Sequence, residues 1–269
     1  MNKTKRYYQA LDALVELKAE LTQYIPEYEP PTDPYLEMVL ENIGPLPKES
    51  LFLGQADDDL PVLLNLFDSA PGPLLIQADS GQGKSEYLKS IASAIEICHS
   101  AQDVQYGVIT DKPEEWAARN ASAHNIGVFP VQERITFDFM LSLNTWAHSN
   151  RSDQSVILLW DNLSSVNHLE MELVDNFRWL LLRGPAKKVW PIVTVNTSAP
   201  SGVLGWKDYF RTCINGRTQN PSRRLVAQQG IETLKDGYDF WMNSGGESIN
   251  IWMPHHQASI NSEFPLLGQ

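Results

Sequence analysis

The chain has only two cysteines, Cys98 and Cys213, in 269 residues. A disulfide framework or a thiolate metal site needs more of them at short, regular spacing, so the pair reads as two buried reduced thiols, one in a helix and one in a strand. Long apolar runs are also lacking: the longest, residues 156–160 and 179–182, fall far short of the ~20 residues that a membrane helix needs. The N-terminus shows no charged-then-apolar leader pattern. The expectation is a soluble, cytoplasmic protein with no membrane insertion. Positive charge is scarce too, with 21 Lys and Arg against 33 Asp and Glu and a net charge of −12. A field of that sign repels nucleic acid as a whole, though a local basic patch can still bind it. The basic residues gather in the second half, at Arg183, Lys187 and Lys188 and again at Arg211, Arg217, Arg223 and Arg224. For the first cluster a solvated face is as good a reading as a functional one.

What the chain does have is 42% hydrophobic content, enough for one sizeable α/β core. Residues 7–25 carry apolar side chains near helical spacing, at Tyr8, Leu11, Leu14, Val15, Leu21 and Ile25, which predicts an amphipathic helix. Prolines 26, 30, 31 and 34 stop it, because each lacks an N–H and restricts the residue before it. A second short helix is expected over 34–43. Residues 1–50 thus read as a helical segment with a Pro-rich linker, 51–254 as the main domain and 255–269 as an exposed tail that includes His255 and His256.

Within the main domain, residues 51–54 and 61–66 read as two strands of a hairpin across the acidic turn Asp57, Asp58, Asp59, a solvated turn rather than a metal cluster. Strand-like runs follow at 74–78, 106–110, 156–160 and 192–195, with helical patterns at 86–97, 114–123, 134–150 and 169–182 between them. Such alternation predicts a mainly parallel sheet covered by helices on both faces.

The most informative stretch runs from Leu74 to Ser85, a buried strand that enters the sequence Ala78-Asp79-Ser80-Gly81-Gln82-Gly83-Lys84-Ser85 and then a helix that begins with Glu86. A strand, a glycine turn and a helix N-terminus present several backbone N–H groups to one phosphate, Lys84 adds charge and the Ser85 hydroxyl is a magnesium ligand. This predicts ATP and Mg2+ as ligands, held by residues 79–86. The usual spacing puts a Gly where this chain has Ala78, a mild departure.

A phosphate loop needs a second acidic group for the metal, and Asp161 closes the apolar run 156–160. In hydrolytic members of the class the next residue is commonly Glu; here it is Asn162, which can position water but cannot take its proton, help typically worth roughly a hundred- to ten-thousand-fold. Turnover should be slow unless another carboxylate substitutes, the candidates being Glu86, Asp111, Glu170 and Glu172. Asn196, at the end of a fourth strand, is the choice for sensing the γ-phosphate. Arg211, Arg217, Arg223 or Arg224 could reach a neighbouring subunit's nucleotide as an arginine finger. The catalytic set is then Lys84, Asp161, Asn162 and Asn196.

The order of these segments resembles the FtsK/SpoIIIE branch of the FtsK–HerA P-loop ATPases. Residues 51–62 look like the family's entry hairpin and Ala78 to Ser85 like its phosphate loop. Thr110-Asp111-Lys112-Pro113 is similar to its Asp-Pro-Lys segment, and 182–196 to its helix, basic turn and sensor strand. Phe210-Arg211-Thr212-Cys213-Ile214, Ser222-Arg223 and Gly237-Tyr238-Asp239 follow its later order. The fold this implies is an α/β, RecA-like P-loop domain with a mainly parallel central sheet, preceded by a short helical segment. The resemblance also implies a hexameric ring, or a subunit of a hetero-oligomeric machine, that moves double-stranded DNA or, in related secretion machines, protein. Ala78, Asn162 and Asn196-Thr197-Ser198 depart from the family pattern, the last where Thr-Gln-Arg-Pro is typical. The function expected is a motor-type ATPase subunit with weakened hydrolysis; the alternative is a nucleotide-binding structural or regulatory subunit. A small-molecule kinase would need an Arg-rich lid, for which there is no candidate.

Overall fold

The computed structural model describes residues 35–168, 170–197, 204–219, 234 and 238–255. The chain divides into two compact units, Met1–Pro34 and Tyr35–Gln269, and the second holds the sheet. The helix expected over 7–25, together with Arg223, Arg224 and His256, lies outside the described residues.

Helix α1 (Leu36–Ile43) buries Leu36, Val39 and Leu40 and stops at Gly44, whose φ of 82° is left-handed. It belongs to the same compact unit as the sheet. Strands β1 (Ser50–Ala56) and β2 (Pro61–Asn65) form the expected antiparallel hairpin, with a bulge between Phe52 and Gly54. The acidic turn between them is exposed. β3 (Leu74–Ala78), β4 (Val104–Thr110), β5 (Asn125–Pro130), β6 (Ser155–Asp161), β7 (Val189–Asn196) and β8 (Thr212–Asn215) pair in parallel, in the spatial order 5-4-6-7-3-8. β9 (Asp239–Ser244) and β10 (Glu247–Trp252) pair antiparallel beside β8 and connect the parallel part to β1, which completes ten strands among the described residues.

The central strands are apolar because both faces are covered, and their side chains divide between two cores at a period of two. Leu74, Ile76, Ile157, Leu159, Trp190 and Ile192 join one core; Leu75, Val156, Leu158, Trp160, Val189, Val193 and Val195 join the other. Helix α2 (Lys84–Cys98) packs Leu88, Ile91 and Ile95 into the first core. Helices α3 (Arg134–Ser149) and α4 (Met171–Arg183) pack Phe139, Met140, Leu143, Phe177 and Leu180 into the second. Each such buried side chain contributes roughly 1.5–3 kcal/mol relative to exposure. No helix among the described residues is long and apolar enough to cross a membrane.

Cys213 is buried and Cys98 partly so, both free, and burial raises both thiols, Cys213 to about 11. The helix expected over 114–123 is instead a shorter 3-10 segment, Pro113–Arg119, that seats Trp116 in the core. Its last residue turns back to α2, where Arg119 donates to Glu96 at 2.8 Å and Ser93 at 2.6 Å. The edge strand β5 and the β9–β10 hairpin were not among the expected elements. The hairpin had a signal: Gly245 and Gly246, at φ 59° and 92°, supply the two left-handed residues that a tight turn between paired strands requires.

Candidate nucleotide site

The carboxyl ends of the parallel strands meet in a cleft of about 490 Å³. Ser80 to Glu86 form one wall; Lys112, Asp161, Asn162, Thr194 and Asn196 line it from the neighbouring strands, and Tyr238 and His255 from the returning C-terminal hairpin. Ligands bind at this end of an open α/β sheet because the strand order brings several loops together there.

The loop's shape follows from its glycines. Gly81 and Gly83 sit at φ 75° and 74°, and a Cβ at Gly81 would meet nothing within 4 Å, so it is the left-handed backbone that demands glycine there. Gly83 is the N-cap of α2, and no side chain caps that helix. The first-turn N–H groups and the positive end of the helix dipole are therefore directed toward the cleft, which suits an anion. Ala78 is tolerated because it serves as the last residue of β3. It is fully buried, and its carbonyl accepts from Thr197 N–H at 3.1 Å and from Lys84 Nζ at 3.1 Å.

Lys84 Nζ also donates to the Asp79 carbonyl at 2.6 Å. Burial lowers its ammonium to about 8, although the charges of Asp161 and Asp79 pull the other way. A triphosphate stabilises the charged form, so binding takes up a proton, and affinity should be greatest below pH 8 and fall above it. A fluorescent non-hydrolysable ATP analogue is expected to bind about tenfold more weakly at about pH 9 than at about pH 7. A flat profile would show that Lys84 does not meet the phosphates.

Asp79 is more deeply engaged than its place in a loop suggests. Burial alone would raise its carboxyl, but hydrogen bonds from Thr197 Oγ, Gln219 N–H and Thr218 Oγ, with the charge of Lys84, outweigh burial and hold it below the ordinary range. Its own N–H donates to the Arg217 carbonyl at 3.1 Å. The loop is thereby tied to the ends of β7 and β8.

β7 lies between β3 and β6, with Ala78 in register with Asn196. That interposition puts Asn196 between the phosphate loop and Asp161. Asp161 is buried at 8% exposure and accepts from Thr194 Oγ at 2.8 Å, while the same Thr194 oxygen accepts the Asn162 N–H at 2.7 Å. The Ser85 hydroxyl and the Asp161 carboxylate line one cleft, a hard-oxygen donor pair of the kind that suits Mg2+. Asp111 is also brought here, 3.0 Å from Asn162 Nδ2. Glu86 lines the cleft and pairs with Lys89 at 2.7 Å; Glu170 and Glu172 line two other grooves.

The arginines divide. Arg217 follows β8 at the loop's end of the sheet. Arg211 precedes β8, packed on Gly72 a strand's length away, roughly 15 Å. Lys187 and Lys188 also lie at that far end, where Lys188 Nζ stands 3.2 Å from the centre of the Phe67 ring. Tyr238 and His255 were the residues sequence reasoning missed. Their rings meet edge to face at 4.1 Å, and Leu36 N–H donates to the His255 carbonyl at 2.8 Å, so His255 is built into the fold.

The fold is that of a RecA-like P-loop NTPase domain, mixed α/β with a large, mainly parallel sheet. Three solved structures share it: EccC (ATPases 2 and 3) of Thermomonospora curvata in complex with a signal sequence peptide, EssC (ATPases 2 and 3) of Geobacillus thermodenitrificans, and the pCW3 conjugation coupling protein TcpA with ATPgS. The TM-scores are 0.67, 0.63 and 0.61 at 13%, 12% and 13% identity. The matches cover 86%, 84% and 87% of this chain and 45%, 48% and 72% of theirs, so the chain spans less than half of the first two. No family model matches the sequence, and no curated protein does.

Proposed function

We propose that this chain binds Mg-ATP and is a motor-type ATPase subunit that assembles into a ring and moves double-stranded DNA. The observation that carries the reading is the convergence of the loop 80–86, Asp161 and Asn196 on one cleft at the carboxyl ends of the parallel strands. Lys84 and the α2 N-terminus would hold the phosphates, and Ser85 and Asp161 would hold Mg2+, which supplies neutralisation of phosphate charge when bound. Asn196 contacts the γ-phosphate, and Arg217, on the loop's side of the sheet, is a better arginine finger than Arg211. The second reading, a poorly hydrolysing structural or regulatory subunit of a secretion or DNA-processing machine, is favoured by Asn162, since an amide stands where a proton acceptor is usual.

Steady-state ATP hydrolysis with and without double-stranded DNA separates the two. DNA-stimulated turnover, together with a nucleotide-dependent hexamer by mass measurement, is the expected result. Tight analogue binding without turnover or assembly would favour the regulatory subunit.

A further inference from the structure

We infer that Asp111 supplies the carboxylate that Asn162 lacks, acting as the general base for the attacking water while Asn162 positions it. The inference rests on the ATPase reading and adds a residue to it.

The backbone of Asn162 is pinned from both directions. Its N–H donates to Thr194 Oγ at 2.7 Å, and its carbonyl accepts from Ser165 N–H at 3.2 Å and Ser165 Oγ at 2.7 Å. At φ 78° it is left-handed, a conformation that Asn and Asp adopt more readily than longer side chains such as Glu. So held, its Nδ2 donates to Asp111 Oδ2 at 3.0 Å. A continuous path of hydrogen bonds thus runs Asp161, Thr194, Asn162, Asp111, from the candidate metal carboxylate to a second carboxylate.

The parallel register explains the proximity: Thr110 of β4 stands beside Asp161 of β6, so the next residue of each strand, Asp111 and Asn162, emerges as a pair. Asp111 also lines a second cleft of about 690 Å³ that shares Asn162 with the nucleotide cleft, and Lys112 beside it lines the nucleotide cleft itself. Water can therefore reach the carboxylate from the second cleft, and the candidate nucleotide cleft lies beyond Asn162, which lines both. An ionised carboxylate accepts several hydrogen bonds, and Asn162 accounts for one. Of the other carboxylates, Glu86 is paired with Lys89, and Glu170 and Glu172 line different grooves.

In the step, the water oxygen bonds to the γ-phosphorus as the bond from that phosphorus to the bridging oxygen breaks. The electron pair leaves with ADP. The water's proton passes to an Asp111 oxygen, inorganic phosphate departs, and the proton then returns to solvent.

The test uses the full chain. Asp111→Asn is expected to lower ATP turnover by about a hundredfold or more while leaving the affinity for a non-hydrolysable analogue within about threefold. The exchanged pair, Asp111→Asn with Asn162→Asp, returns a carboxylate to the same hydrogen-bonded couple in a backbone that tolerates it. It should recover a measurable part of the lost turnover, which a merely structural role for Asp111 would not allow. Glu172→Gln, far from the cleft, should change neither quantity. Undiminished turnover in Asp111→Asn, or no recovery in a folded exchanged pair, overturns the role of Asp111 alone. A wild-type chain that binds no ATP analogue overturns the nucleotide reading with it.

Discussion

Lys84→Ala is expected to weaken ATP binding by about a hundredfold while leaving the protein at least as stable as wild type. The Lys84 ammonium is held by two carbonyls of its own loop and lowered by burial from 10.5 to about 8. Its unfolded value is higher than its folded one, so the folded state binds fewer protons and the charged group weighs against folding below pH 8. A depression of that size is a cost on the order of 3 kcal/mol at neutral pH. Removing the side chain relieves this cost, partly offset by the two lost hydrogen bonds. The melting temperature should therefore hold or rise by a few degrees. For the nucleotide the balance is reversed. A charge-assisted contact to phosphate in a partly desolvated cleft is worth roughly 3 kcal/mol, which is about a hundredfold in affinity. Calorimetric titration with a non-hydrolysable analogue, beside a thermal melt, checks both halves. Retained affinity would remove the premise of the nucleotide site, and a large fall in melting temperature would show that the loss was one of fold.

The strand, glycine turn and helix from Leu74 to Cys98, and the place of Asp161 at a strand end, were legible in the sequence for a physical reason. A strand buried on both faces must be apolar throughout, so Leu74 to Ala78 and Val156 to Trp160 are conspicuous, and the first polar residues after them mark the carboxyl edge where the cleft forms. Relations across the sheet were not legible. Thr194 bridges Asp161 and Asn162 only because β7 is inserted between β3 and β6, and Asp111 meets Asn162 across 51 positions only through the β4–β6 register. Local periodicity carries no information on strand order. His255 was read as part of an exposed tail because the β9–β10 hairpin had not been recognised, and it is this hairpin that returns the chain to the cleft beside Tyr238. The 3-10 segment after Pro113 shows the opposite failure. Residues with ordinary helical pattern stop short at Arg119, whose side chain is held by Glu96 and Ser93 of α2, a contact across the fold that local pattern does not show.

Asp161→Asn should separate metal binding from fold more cleanly than removal of the side chain. Thr194 Oγ donates to Asp161 Oδ1 at 2.8 Å, and an amide oxygen in the same place still accepts that bond, so the path to Asn162 survives and the melting temperature should move by no more than a few degrees. The lost negative charge acts in two directions. Mg2+ would lose one of the two oxygen donors proposed for it, Ser85 and Asp161, and metal-assisted charge stabilisation is worth several kcal/mol. Turnover should therefore fall by at least about a hundredfold, and analogue affinity should lose its dependence on Mg2+. Lys84 loses the larger of the two negative charges that favour its protonation, so the pH above which affinity declines should move below about 8. Analogue titrations across pH, with Mg2+ and with a chelator, read both effects in one protein. If Mg2+ still strengthens binding as in wild type and the pH profile is unmoved, Asp161 neither holds the metal nor faces Lys84, and the cleft must bind nucleotide by the phosphate loop alone.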